Sequence, residues 1–143
     1  MNNIDIEIWQ QRQVWIDEEL EQAERGGHII SEYVLALFMD MSLAYCAGAW
    51  VSVIIMSVTI MDAHFREETL DNNTRTAKLL RDNYEGGNID WLRKLRNKYV
   101  HHNIDNQIIN AENCYCLQGK EIEQDAITAI KMVIKALFQN PFI

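Results

Sequence analysis

Apolar residues recur along this chain at helical spacing, and no stretch keeps the strict apolar–polar alternation of a half-buried strand. Five segments carry the helical repeat. The first runs from Ile4 to Glu24, with Ile8, Val14, Trp15 and Ile16 available for packing. Ser31 then opens a long apolar stretch that reaches about Leu70. A short helix is predicted over Thr74 to Tyr84, another over Trp91 to His102, and a last one over Glu121 to Gln139. In the last, Ile122, Ala126, Ile130, Val133 and Leu137 form one stripe, with acids leading and Lys131 and Lys135 trailing, as the helix dipole favours. Gly26-Gly27, Gly86-Gly87 and Gly119 separate these segments, and Pro141 follows the last. Asn88 is placed to cap the fourth helix, with Asp90 in its first turn. Residues 103–119 show no period and read as a long loop.

The middle of the long stretch, Met41 to Met61, holds no charged residue over 21 positions, enough to span a hydrocarbon core. Its flanks are Asp40 and Asp62 rather than Lys or Arg, and it carries Ser42, Tyr45, Ser52, Ser57 and Thr59. A buried central helix fits better than a membrane span. Ala44, Ala47, Gly48, Ala49 and Ser52 would let a second helix approach it closely. The expected fold is all-α: a single domain over residues 1–143, a compact bundle of four to five helices around a long apolar central one.

Composition narrows the function. At 48% hydrophobic residues the chain can build a core without staples. Cys46, Cys114 and Cys116 form no even disulfide framework, and no histidine pair has metal-ligand spacing. No metal or cofactor is expected. The start, Met1-Asn2-Asn3-Ile4-Asp5, lacks the pattern of a signal peptide, so a reducing, cytoplasmic setting is expected. A net charge of -8 opposes sequence-blind duplex binding. The charge is uneven, however. Residues 1–40 hold nine acids and two bases, while residues 75–102 hold seven bases and three acids. That basic segment suits a small RNA contact, or else is a solvated helix face.

Its most informative part is Arg96-Asn97-Lys98-Tyr99-Val100-His101. A fixed cation beside a group that titrates near neutral pH supplies charge stabilisation and proton transfer, two needs of metal-free phosphodiester cleavage. On a helix, Trp91, Leu92, Leu95 and Tyr99 share an apolar sector that Val100 extends, and Arg96 projects at its edge. Arg93, Lys94, Asn97, Lys98 and His101 cover the wetter face, and His102 turns toward the apolar side. A guanidinium against apolar neighbours must find an anion or a carboxylate. The plainer reading is an amphipathic helix with Arg96 held in a structural salt bridge.

Leu95 to His101 resembles the signature of the HEPN superfamily: an arginine, a small polar residue after it, and a histidine closing six positions. Asp62-Ala63-His64-Phe65-Arg66 is similar to a secondary signature of some HEPN families, although Glu and Lys are the commoner identities there. A routine helical ion pair is the alternative for Asp62 and Arg66. The resemblance implies a homodimeric, metal-independent endoribonuclease, serving as a toxin or an anti-phage defence effector. It would leave 2′,3′-cyclic phosphate ends. It assigns catalysis to Arg96, His101 and Asn97, substrate binding to Arg93, Lys94, Lys98 and His102, and an orienting role to Asp62. RNA and a cognate antitoxin such as a nucleotidyltransferase would be the partners. The alternative is a catalytically silent HEPN-like module that binds RNA or protein. On a straight helix Arg96 and His101 stand about 140° and about 7.5 Å of rise apart. A shared phosphate therefore requires unwinding near His101 or, as the resemblance implies, two motif helices facing each other across a two-fold axis.

Overall fold

The computed structural model describes residues 5–24, 27–105 and 120–140, and within them the chain is all-helical with no β-strand. Six helices make the bundle: α1 (Ile6–Ala23), α2 (Glu32–Cys46), α3 (Trp50–Thr69), α4 (Thr76–Asn83), α5 (Ile89–Val100) and α6 (Lys120–Phe138). Most of the stretch 103–119 lies outside the described residues, with Cys114, Cys116 and Gly119.

The central helix is α3. Val53, Ile54, Val58, Ile60, Met61 and Phe65 are all buried along it, facing more than one direction, so neighbours must surround it. They do: α2, α4, α5 and α6 all pack on α3, and α1 closes the bundle against α2 and α6. The expected stripe of α6, from Ile122 to Leu137, is buried at all five positions.

The uncharged stretch Met41–Met61 is not one helix, which corrects the expectation and raises the helix count to six. It breaks at Ala47-Gly48-Ala49, where Gly48 takes a φ of +78°, a left-handed conformation that a side chain resists. The chain turns there and folds the apolar run back on itself. No helix of the described residues is long and apolar enough to cross a membrane. Arg12 of α1 secures the corner. Its Nη1 donates to the Cys46 carbonyl at 3.0 Å, and its guanidinium lies 4.8 Å from the Trp50 ring centroid. That cation meets the negative end of α2, where helix carbonyls lack internal partners.

Capping follows local chemistry in part. Asp5 accepts from the Glu7 and Ile8 amides, and Ser31 accepts from the Val34 amide. Asn88 departs from expectation: it precedes α5 at a φ of +68°, and its side chain caps nothing. Helix α3 ends on Leu70, 90% exposed and left-handed at a φ of +54°. Asp71 then accepts from the Thr74 hydroxyl and from the Thr74 and Asn73 amides, which holds its carboxyl pKa down at about 2. Of the apolar residues expected to pack in α1, Ile16 is buried and Trp15 lies against Tyr45, whereas Ile8 and Val14 face outward.

Two backbone positions give opposite predictions. A Cβ at Gly48 would meet only ordinary contacts, 3.5 Å from Arg12 Nη1 and 3.7 Å from Trp50, so the cost of Gly48→Ala is conformational. It should lower stability by about 1 kcal/mol, whereas Leu70→Gly should raise it by a similar amount. Urea unfolding of both variants checks the signs.

Candidate nucleic-acid interface

Helix α5 is anchored from its first residue. Ile89 and Leu92 are buried, and Leu95 and Tyr99 pack against the core as its second half. The loop before it is tied to the end of α6: Gln139 Oε1 accepts from the Glu85 amide, and Gln139 Nε2 donates to the Asn83 carbonyl. Gly86 is packed so closely on Tyr84 that an added Cβ would lie 2.5 Å from the tyrosine hydroxyl. These contacts fix the helix axis and so the directions of its side chains.

Trp91 and Val100, expected in the apolar sector, are exposed on either flank. The reason is the position of the stripe. Ile89, Leu92 and Tyr99 set its centre, which leaves Trp91 and Val100 at its edges. Arg96 lies within that arc, between the directions of Ile89 and Leu92. It is half-buried as a result, and its Nε is fully shielded from solvent with no hydrogen-bond acceptor. Among the described residues Arg96 forms no hydrogen bond and no ion pair. Arg93 Nε is likewise shielded and without an acceptor, 3.8 Å from an Asp90 carboxylate oxygen that also lies 3.9 Å from Arg81 Nε. Lys94 and Lys98 are exposed, and Asn97 is half-buried.

The helix stops at Val100, two residues before the expected end at His102. His101 is extended at φ -109° and ψ 91°, its amide closing the last turn on the Asn97 carbonyl at 2.8 Å. The ideal-helix separation of Arg96 and His101 therefore does not apply at the histidine. His101 and His102 are both exposed; the packing expected of His102 is absent. Neither imidazole has a hydrogen-bond partner among the described residues.

Asp62 stands differently. Arg66 forks onto it, Nε to Oδ2 at 2.8 Å and Nη2 to Oδ1 at 3.0 Å, and Thr76 Oγ1 donates to Oδ1 at 2.8 Å. Its carboxylate joins α3 to the start of α4 and makes no ion pair with Arg96. The routine helical ion pair is what forms, extended by Thr76.

A second cluster of chemistry-bearing side chains lies elsewhere. A cleft of about 290 Å³ is lined by His28, Ser31, His64, Glu67, Glu68 and Asn140, among others. His64 is buried on α3 with Nε2 3.0 Å from Glu68. Burial pushes its pKa down, against the opposing pull of Glu68 and Glu67. His28 Nε2 donates to the Phe138 carbonyl at 2.9 Å, pinning the loop before α2 to the end of α6. The i, i+4 spacing of His64 and Glu68 was readable in the chain; the union with His28, brought in by the fold, was not. Among the described residues no group of three or more His, Cys, Asp or Glu side chains is placed to hold a metal ion.

No protein-family model, curated protein or solved structure matches this chain.

Asp62→Ala should lower stability by about 1–3 kcal/mol, because it strips the Arg66 fork and the Thr76 hydroxyl of their acceptor. Any phosphate or RNA affinity of α5 should stay unchanged. Chemical unfolding beside a fluorescence anisotropy titration with single-stranded RNA measures both, and a selective loss of RNA affinity would return Asp62 to an orienting role.

Proposed function

We propose that this protein is a metal-independent endoribonuclease of HEPN type, acting as a homodimer whose two α5 helices build a shared site. The observation that carries the reading is Arg96. Its guanidinium is half-buried at a core-facing position, with its Nε shielded and no carboxylate opposite among the described residues. Such a group is costly to leave uncompensated, and an anionic ligand is the natural complement. Arg93, one turn earlier, also has its Nε shielded and without a hydrogen-bond acceptor but stands 3.8 Å from Asp90, and Lys94 and Lys98 extend the positive face. His101 stands at the helix end on extended backbone, accessible to substrate.

In this mechanism His101 removes the proton of a ribose 2′-hydroxyl, the 2′-oxygen attacks phosphorus, and the bond to the 5′-oxygen breaks. The leaving 5′-oxygen takes up a proton from solvent water, and the imidazolium returns its own proton to solvent. Arg96 stabilises charge on the phosphorane, and Asn97 holds a phosphate oxygen or His101 itself. Products carry a 2′,3′-cyclic phosphate and a 5′-hydroxyl. Arg93, Lys94, Lys98 and His102 bind flanking phosphates. A nuclease of this kind acts in the cytoplasm as a toxin or defence effector and requires restraint, for which a nucleotidyltransferase antitoxin is the implied partner.

One observation favours a silent RNA-binding module instead. Among the described residues the His101 imidazole has no partner to set its tautomer, whereas a general base is commonly oriented by a third group.

The two readings separate on RNA incubated with purified protein in EDTA. Cleavage to cyclic-phosphate ends is expected, with Arg96→Ala and His101→Ala each lowering it at least about a hundredfold. Binding without products would select the silent module. Cleavage undiminished in both variants would remove the proposal.

A further inference from the structure

The outer face of α2 is apolar and uncovered. Leu35, Met39 and Leu43, spaced by four residues, are 48%, 58% and 52% exposed, and Tyr33 beside them is 62% exposed. Ala36 and Ala47 fill the surface between and beyond them. An ordinary surface helix turns polar residues outward; α2 is apolar on almost every side, though only its inner face meets α1 and α3. These side chains leave on the order of 500 Å² of apolar surface, close to the apolar share of a standard interface that buries about 800 Å² per partner. The largest apolar patch of a monomer is commonly of this size and is often functional.

Charge selects the occupant. Helix α1 carries five acids, Glu7, Asp17, Glu18, Glu19 and Glu21, and α2 adds Glu32 and Asp40. The only base in the two helices is Arg12, which is spent on the Cys46 carbonyl and the Trp50 ring. Glu32 and Asp40 are exposed at the margin of the strip itself. A second copy docking through the same α1–α2 face would bring the same sign against this surface. A cationic amphipathic helix would bring the opposite sign, with apolar residues at i, i+4 and i+8 to meet Leu35, Met39 and Leu43.

We infer that the outer face of α2 is a docking groove for a basic amphipathic helix of a partner protein. This surface is separate from α5 and does not rest on the nuclease reading. The helix lies along α2, its apolar side on Met39 and Leu43 and its lysines or arginines over Glu32, Asp40 and the acids of α1.

The test titrates the full chain with a helical peptide of about 14 residues, leucines at helical spacing on one face and lysines elsewhere. A matched peptide with glutamate for lysine is the control. The lysine peptide is expected to bind one to one in 0.15 M salt, and the glutamate peptide not to bind. Met39→Ser with Leu43→Ser, both exposed and checked for unchanged helicity, should weaken binding at least about tenfold. Equal binding by that double variant would reduce the effect to bulk charge and overturn the proposal. So would failure of the lysine peptide to bind. Self-association of the chain alone, abolished by the same double variant in sedimentation, would assign the groove to a second copy and overturn it too.

Discussion

The need to surround α3 governs the rest of the molecule. A helix with Val53, Ile54, Val58, Ile60, Met61 and Phe65 all buried has no face to give to water, so four other helices pack on it. Helix α5 is one of them, and its short apolar stripe must be pressed inward at Ile89, Leu92 and Tyr99 for the bundle to close. Arg96 falls inside that stripe and cannot escape half-burial. An arginine so placed, with no carboxylate partner among the described residues, links the packing of the core to the chemistry of the surface.

Much of the fold was legible from periodicity. The α6 stripe is sustained over four turns with dipole-matched charges, so its boundaries and buried residues follow from the chain itself. The division of α2 from α3 was not, because Ala47-Gly48-Ala49 breaks neither the hydropathy nor the absence of charge; only the left-handed φ of Gly48 reveals a turn. Trp91 was misplaced for a related reason: its hydrophobicity pulled it into the sector, while Ile89 fixed the stripe further round.

The candidate site was legible to the same depth. Helical angles placed Arg96 at the edge of the stripe, and the structure sets it further in. They could not show where α5 ends, since the extended backbone of His101 depends on what the chain does next. The i, i+4 spacing of Asp62 and Arg66 pointed first to a local ion pair and only second to an orienting role. The contact that extends that pair, Thr76, comes from another helix 14 residues on. Tertiary partners of this kind have no local signature.

The two proposed surfaces divide the chain by sign: a basic α5 offered to a nucleic acid, and an acidic, apolar α1–α2 side offered to a partner. The claim at the centre is that Arg96 of one copy and His101 of the other act on one phosphate. Mixing Arg96→Ala and His101→Ala protein under subunit exchange, and assaying RNA cleavage in EDTA, tests it most directly. Each variant alone is inactive on this account, and the mixture recovers activity toward about half of the exchanged dimers' capacity, because one composite site in each mixed dimer is intact. No recovery in verified mixed dimers would contradict it.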